Sequence, residues 1–140
     1  MSETSETNIG SEVTILRERA FHDVARFMLA CDHRFKDQMT WELYWNLCGE
    51  EINELMNADS LVSELDGIID SIWVLIGYGL ARGYDMNGAW AEVARSNLEK
   101  INHDGVCEKD LNGKVMKPAG WRPPNLLPFI PEESKIVTGI

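Results

Sequence analysis

Residues 47–56 read LCGEEINELM and residues 61–81 read LVSELDGIIDSIWVLIGYGLA. Both stretches place apolar side chains at the spacing of a helix, and neither shows the alternation that is typical of a strand. On the first helix, Glu51 falls within the apolar stripe that should face the core, with Glu50 and Glu54 close beside it. The two patterns therefore predict a pair of helices that carry acidic side chains on faces expected to be buried.

The second helix carries Asp66 and Asp70, which share a face with Trp73 and Gly77. Burying an unpaired charge costs several kcal/mol or more. The sequence offers no nearby Lys or Arg on either face as a partner, so a hard divalent cation is the natural candidate. Mg²⁺ takes carboxylate oxygens and keeps waters for substrate phosphates. Four or five carboxylates on two facing helices suit a site with more than one ion.

A di-iron carboxylate bundle is the main alternative metal site. Such bundles use Glu-x-x-His pairs on their helices. The three histidines, His22, His33 and His103, lie far in sequence from the acidic stretches. We therefore favour magnesium over iron.

Composition limits the other classes of function. A chain of 140 residues is long enough for one domain with a core. Its formal net charge of -10 argues against nucleic-acid binding, which needs a basic surface, and against an anionic membrane. We therefore expect neither nucleic acid nor membrane as a partner.

Several features predict a cytoplasmic location. Cys31, Cys48 and Cys107 are odd in number and form no C-x-x-C pair, which favours free thiols in a reducing compartment. Residues 1–8 lack the apolar centre of a signal peptide. The longest apolar run, residues 68–81, contains an Asp and is too short to span a bilayer.

The expected fold is all-α, a bundle of four to five helices with an irregular C-terminal tail. We expect a disordered leader (1–11), a helical domain (12–101) and a tail (102–140) that closes on the site. The Gly, Pro, Lys and Asp content of the tail favours irregular structure. The predicted helices run from Glu12 to Phe35, from an N-cap at Thr40 to Asn57, from a cap at Asp59 or Ser60 to a stop at Gly83, and from a cap at Asp85 to about Ile101.

Two further structural expectations follow from the pattern. The Asn112-Gly113 pair predicts one short hairpin in the tail. The third helix is apolar on most of its circumference, so we expect it to be buried on all sides. A chain this small has few elements to cover it, which favours a homodimer or a dimer of dimers.

Four polar residues outside the acidic helices are candidates for substrate binding. Asn97 lies in line with Trp90 on the fourth helix, so its amide is expected to face a core, either satisfied by backbone or as a ligand contact. Lys100 lies about one turn further along and could reach a phosphate, although a helix C-terminus often carries Lys. Lys114 and Lys117 are either charged surface or a pair that binds a polyphosphate.

Together these residues resemble the all-α nucleoside triphosphate pyrophosphohydrolases, a superfamily with the MazG-type enzymes, the dimeric dUTPases and the phosphoribosyl-ATP pyrophosphohydrolases. Residues 50–54 match the Glu-Glu-x-x-Glu motif of that superfamily. Its second motif, Glu-x-x-Asp, is matched at Asp70, but Gly67 stands where the Glu would be, and Asp66 is adjacent.

A MazG-like branch of bacteria and phages is more similar. It carries Asp-Gly-x-x-Asp, then Glu-Val-x-x-Ser-Asn-x-x-Lys, then Gly-Lys-Val-x-Lys-Pro. This chain has these motifs at residues 66–70, 92–100 and 113–118. The resemblance covers about residues 20–128.

The resemblance implies a Mg²⁺-dependent hydrolase, with Mn²⁺ able to substitute, that converts a (deoxy)nucleoside triphosphate to the monophosphate and pyrophosphate. It also implies a helical dimer or dimer of dimers, in the host cytoplasm if a phage encodes it. Carried over by position, the metal ligands would be Glu51, Glu54, Asp66 and Asp70, the catalytic residue Glu50, and the substrate-binding residues Asn97, Lys100, Lys114 and Lys117.

Two other functions stay open at this point. One is a phosphoribosyl-ATP pyrophosphohydrolase, against which the tail lysines and the lack of a cyclohydrolase domain weigh. The other is a non-catalytic relative that binds nucleotide or metal. The base is also open, and the abundance of aromatic residues slightly favours dGTP over dUTP.

Overall fold

The structure is a computed structural model that describes residues 18–132. It confirms the all-α class, since these residues contain helices, turns and isolated bridges but no strand. The leader predicted for residues 1–11, the start of the first helix and the last eight residues lie outside the described range. The helices are α1 (18–30 within that range), α2 (Gln38–Met56), α3 (Leu61–Ala81) and α4 (Met86–Leu98), followed by a 3-10 turn (Leu127–Phe129).

The chain divides into two compact units, Met1–Met86 and Asn87–Ile140. The first unit holds α1, α2 and α3. Helix α1 ends at residue 30, five residues before the predicted Phe35. The reason is a turn in which Asp32 has a φ of 57° and the His33 amide donates to the Met28 carbonyl at 2.8 Å.

Helix α2 begins earlier than predicted. Its N-cap is Asp37, whose carboxylate accepts from the Thr40 amide at 3.2 Å and from the Thr40 hydroxyl at 3.0 Å. Thr40 therefore lies in the first turn, and the prediction that it caps the helix is wrong. A carboxylate at the cap satisfies an amide that the helix leaves unpaired.

Helix α3 has the ends that the sequence predicts. Ser60 is its N-cap, and Ser60 and Ser63 form a reciprocal capping box. Its C-cap is Arg82, and Gly83 follows with a φ of 77°. This left-handed conformation favours glycine and ends the helix.

The core of the first unit packs α1 against α2 and α3. Met28, Tyr44 and Ala81 are fully buried or nearly so. Helix α3 passes so close to α2 that a Cβ at Gly77 would collide with the Tyr44 ring. The remaining buried apolar residues are Phe21, Val24, Cys48, Val74 and Ile76.

In the single chain, α3 leaves one apolar stripe exposed, and its burial on all sides stays a prediction for an assembly with a second copy. Leu65, Ile69 and Ile72 expose about half of their surface or more (60%, 53% and 48%). They lie at helical spacing and therefore form one stripe. On α3, the buried Gly67 and Gly77 lie against Leu55 and Tyr44 of α2, whereas the buried Gly79 lies against Met86.

The second unit holds α4 and the segment after it. Helix α4 begins directly after Asp85 and ends at Leu98, three residues before the predicted end. The predicted hairpin around Asn112-Gly113 is confirmed: an antiparallel bridge joins Lys109 to Val115, and Gly113 has a φ of 81°. Within the described range, no helix combines the length and apolarity needed to cross a bilayer.

Candidate functional site

The acidic residues of α2 and α3 form one cluster in the first unit. Burial, together with the charges of Glu54, Asp70, Asp66 and Glu50, raises the pKa of Glu51 above its ordinary value. These five side chains are called the acidic cluster below. The five acidic residues that the sequence analysis grouped therefore lie close enough to interact in the structure. Their roles as metal ligands and catalytic residue stay predictions.

Glu51 is the member with the least favourable surroundings. Its Oε2 atom is buried and accepts no hydrogen bond in the structure. Among the described residues, no member of the acidic cluster forms a salt bridge. A buried carboxylate oxygen normally has a donor or a cation as its partner.

The donor set of the acidic cluster fits a hard divalent cation. Carboxylate oxygens are the ligands that Mg²⁺ and Mn²⁺ prefer, and the orphaned oxygen of Glu51 lacks a positive partner. In residues 18–132 the side chains do not converge into a ready group of three or more His, Cys, Asp or Glu donors. Binding would therefore require side-chain rotation, which exposed carboxylates such as Glu54 and Asp66 can make.

A cavity of about 490 Å³ opens beside Glu51 and Asp70. Its other walls are aromatic and aliphatic, so acidic and apolar surfaces face the same space. The aromatic rings are Phe27, His33, Tyr44 and Trp73, and the aliphatic side chains are Leu43, Leu47 and Val74.

The aromatic walls of the cavity support one another. The Phe27 and Trp73 rings meet edge to face with centroids 5.7 Å apart, and His33 and Tyr44 meet in the same way at 5.5 Å. His33 Nδ1 and the Tyr44 hydroxyl are 3.0 Å apart, within hydrogen-bonding distance. Burial raises the pKa of Tyr44 to about 12, so its hydroxyl keeps its proton at neutral pH.

His33 is the residue of this cavity that the sequence did not single out. Its position in the chain is far from the acidic stretches, and on that ground we set it aside. The turn after α1 returns the chain so that His33 lies in the same cavity as Glu51 and Asp70. No short-range signal in the sequence marks this contact, because it depends on how α1 packs.

Gly67 lies where α3 comes close to α2. A Cβ at position 67 would lie 3.0 Å from the Leu55 Cα, so α2 and α3 nearly touch there. Position 67 faces the neighbouring helix, and a Glu would not fit without moving the backbone. Asp66, one residue earlier, is exposed, and its negative charge helps to raise the pKa of Glu51.

In the second unit, two of the four predicted substrate-binding residues lie at the ring of Trp121, and a third contacts one of those two. The Nζ atoms of Lys100 and Lys117 lie 5.3 Å and 4.9 Å from the centroid of its ring. Asn97 accepts a hydrogen bond from Lys100 Nζ at 3.1 Å. The sequence left Trp121 without a role, because two of its neighbours, Ser96 and Lys100, lie more than 20 positions away in the chain.

One detail of the prediction needs correction. Asn97 is exposed, and so is Trp90 at 55%, so the expectation that this face of α4 is buried in a core is wrong. Ser96, next to Asn97, is the buried residue instead. Lys114 lies in the hairpin, where its amide donates to Asp110 at 2.9 Å.

The acidic residues of α4 have partners of their own. Glu92 binds Arg95 through both of its oxygens, at 2.9 Å and 3.1 Å, and accepts from the Asn125 amide at 3.0 Å. Arg95 also donates to Glu99 at 2.7 Å. These bonds lower the pKa of Glu92 to about 2 and link α4 to the segment that follows it.

A second cavity in the first unit, of about 500 Å³, lies at the start of α2. Its acidic residues already have structural partners: Asp37 caps the helix, and Asp32 pairs with Arg34 at 3.3 Å. The cavity beside Glu51 is therefore the better candidate for a ligand site.

Comparison with known proteins adds no family assignment. No protein-family model matches the chain, and no curated protein matches it.

Proposed function

We propose that this protein is a metal-dependent pyrophosphohydrolase that converts a (deoxy)nucleoside triphosphate to the monophosphate and pyrophosphate. The observation that carries the proposal is the cavity of about 490 Å³ whose walls are aromatic on one side and acidic on the other. A nucleotide has the same division, since its base stacks on rings and its phosphates need cations.

The acidic side of the cavity would hold Mg²⁺, or Mn²⁺ in its place. Glu51, Glu54 and Asp70, with Asp66 beside them, would be the ligands, and this number of oxygens is enough for more than one ion. When bound, the metal would neutralise phosphate charge and lower the pKa of a water molecule. Glu50, exposed at the edge of the acidic cluster, would accept a proton from the attacking water or orient it.

The aromatic side of the cavity would hold the base. Trp73 and Phe27 already contact each other edge to face, and a base stacking on such a ring contributes about 1–3 kcal/mol. His33 and Tyr44 would add polar atoms that can recognise the edge of the base. A purine such as dGTP is slightly favoured over dUTP because several rings line the cavity.

The resemblance to the MazG-like branch also implies that four residues of the second unit contact the substrate. Asn97 would contact the sugar or a phosphate, and Lys100, Lys114 and Lys117 would contact phosphates. Charge-assisted hydrogen bonds of this kind are about twice as strong as neutral ones.

The exposed stripe of α3 supports a homodimer or a dimer of dimers. Leu65, Ile69 and Ile72 present apolar surface along one side of a 21-residue helix. A two-fold axis across α3 would pair identical stripes and bury both. Light scattering at low micromolar concentration tests this directly, and a monomer would contradict it.

One assay tests the function. The protein is incubated with each ribo- and deoxynucleoside triphosphate and Mg²⁺, and the products are separated by anion-exchange chromatography. We expect monophosphate and pyrophosphate in equal amounts, with at least one base clearly preferred. Diphosphate with inorganic phosphate, or no product from any nucleotide, would contradict the proposal.

A further inference from the structure

Trp121 lies at the centre of a small positive cluster in the second unit. The ammonium groups of Lys100 and Lys117 are 5.3 Å and 4.9 Å from the centroid of its ring. Both distances are within the roughly 6 Å over which the electron-rich face of an indole attracts a cation. One ring therefore attracts two lysines that are 17 positions apart in the chain.

The indole ring is itself held in place. Its Nε1–H donates to the Ser96 carbonyl at 2.6 Å. Ser96 is only 2% exposed, and its hydroxyl donates to the Val93 carbonyl at 2.8 Å. The ring is thus attached to a buried point of α4, one turn before Lys100.

The two lysines differ from the arginines nearby. Arg95 pairs with Glu92 and Glu99, and Arg122 lies 3.6 Å from Glu99. Within residues 18–132, neither Lys100 nor Lys117 forms a salt bridge with a carboxylate. In a chain with a net charge of -10, their positive charge stays available for an anion.

We propose that Trp121 is a positioning residue that holds Lys100 and Lys117 together as a paired cation site for the phosphate chain of the substrate. This inference rests on the function proposed above. Holding two flexible side chains in place before the ligand arrives lowers the entropy lost on binding. Trp121 acts through the lysines, since its ring faces the two ammonium groups.

The ligand class follows from the number of charges at the ring. Two ammonium groups at one ring suit a chain of linked phosphates better than a single monoanion, because several oxygens can be contacted together. Inorganic tripolyphosphate carries this chemistry without base or sugar, and its phosphoanhydride bonds should stay intact in an assay without divalent metal. It is therefore the probe for the test.

The test measures tripolyphosphate affinity of the full chain by calorimetry, without divalent metal and at fixed ionic strength. Trp121→Leu removes the aromatic face and the hydrogen bond to Ser96, whereas Trp121→Phe removes only the hydrogen bond. We expect Trp121→Leu to weaken binding at least about tenfold and Trp121→Phe to weaken it by less than about threefold. Lys109→Met, a loss of one exposed charge elsewhere in the unit, should stay close to the wild type.

Two results would overturn the proposal. If Trp121→Phe weakens binding as much as Trp121→Leu, the hydrogen bond to Ser96 matters and the ring face does not. If Lys117→Met has the same effect with Leu at position 121 as with Trp, the two side chains are not coupled. We expect the effect of Lys117→Met to be smaller in the Trp121→Leu background.

A second measurement covers the case in which Trp121→Leu does not fold. In the wild-type protein, the ring current of Trp121 should move the ε-methylene proton signals of Lys100 and Lys117 upfield of those of Lys109. Tripolyphosphate should change the two shifted signals first. Signals at ordinary positions, or an equal response of all three lysines, would overturn the proposal.

The outcome separates this inference from the proposed function. If the protein hydrolyses no nucleotide but its tripolyphosphate affinity depends on Trp121, the proposed pyrophosphohydrolase activity is wrong and the positioning role of Trp121 stands. If the Trp121→Leu variant hydrolyses nucleotide with wild-type KM and kcat, the positioning role is wrong and the proposed activity stands. With both correct, the variant should raise KM more than it lowers kcat.

Discussion

The carboxylates of α2 and α3 and those of α4 lie in opposite electrostatic surroundings. On α4, Glu92 and Glu99 share Arg95, and hydrogen bonds lower the pKa of Glu92 to about 2. In the acidic cluster, burial and like charges raise the pKa of Glu51, and one of its buried oxygens has no partner. Both regions carry carboxylates on helices, but of these two sets only the carboxylates near Arg95 have a positive partner within residues 18–132.

This difference separates acidic residues that stabilise the fold from those that await a ligand. Paired charges on a helix surface link neighbouring segments, and no bound molecule is needed to explain them. Like charges held close together lower the stability of the folded state. A cation that binds between them should therefore raise that stability. We therefore expect the acidic cluster to bind a metal ion. The paired carboxylates near Arg95 serve as the comparison, and we expect them to bind none.

The largest expected effect is on hydrolysis. Glu51→Gln or Asp70→Asn should each lower turnover at least about a hundredfold, because each removes a carboxylate that would hold the metal, and the metal would stabilise the phosphate charge in the transition state. The measurement is the rate of pyrophosphate release, with circular dichroism to show that the helices persist. Glu64→Gln, an exposed position of α3 outside the acidic cluster, is the matched control and should keep wild-type turnover. Near-normal rates in both cluster variants, or turnover that survives EDTA, would contradict the metal site.

The next effect is on stability, and here the two regions should respond with opposite sign. In EDTA, Glu51→Gln should raise Tm, because it removes a poorly solvated charge among like charges. Glu92→Gln should lower Tm, because Gln keeps only one neutral acceptor oxygen in place of the charged carboxylate that binds Arg95 and the Asn125 amide. We expect each shift to be about 2 °C or more.

Differential scanning calorimetry with and without Mg²⁺ measures both shifts. Added Mg²⁺ should raise the Tm of the wild type and of Glu92→Gln but leave that of Glu51→Gln nearly unchanged. Tm shifts of the same sign in the two variants in EDTA would show that Glu51 and Glu92 do not differ in their effect on stability.

The smallest effect concerns pH. The pKa of Glu92 falls from an ordinary 4.5 to about 2 on folding, so the unfolded chain binds more protons in that interval. The contribution of Glu92 to stability is therefore complete above pH 4.5 and is lost as the pH falls towards 2. Urea unfolding of the wild type and of Glu92→Gln at pH 6 and pH 3 should show a difference that shrinks at the lower pH. A difference that stays constant would show that the carboxylate is not held in its charged form.

Features set by neighbouring residues could be predicted from the sequence. Ser60 and Gly83 mark the ends of α3 through local capping, and Asn112-Gly113 marks a hairpin through its turn geometry. The acidic cluster was also predictable, since helical periodicity places Glu51 on an apolar face. These signals need only the residues within a turn or two.

Features that depend on distant segments could not be predicted in this way. His33 enters the cavity because α1 stops early and the chain turns back, and Trp121 meets Lys100 and Lys117 only after the tail folds on α4. Asn97 was expected to face a core, but Ser96 is the buried residue, so a shift of about 100° on the helix reversed that prediction.

The central claim is that the acidic cluster, and not the paired carboxylates of α4, binds a divalent ion. Mn²⁺ is paramagnetic and broadens the NMR signals of nuclei close to it, so a titration of the ¹⁵N-labelled protein tests the claim directly. We predict that substoichiometric Mn²⁺ broadens the amide signals around Glu51 and Asp70 first, that those around Glu92 stay sharp, and that Glu51→Gln removes the selectivity. Equal broadening around Glu92 and Glu51, or none around Glu51, would contradict the account.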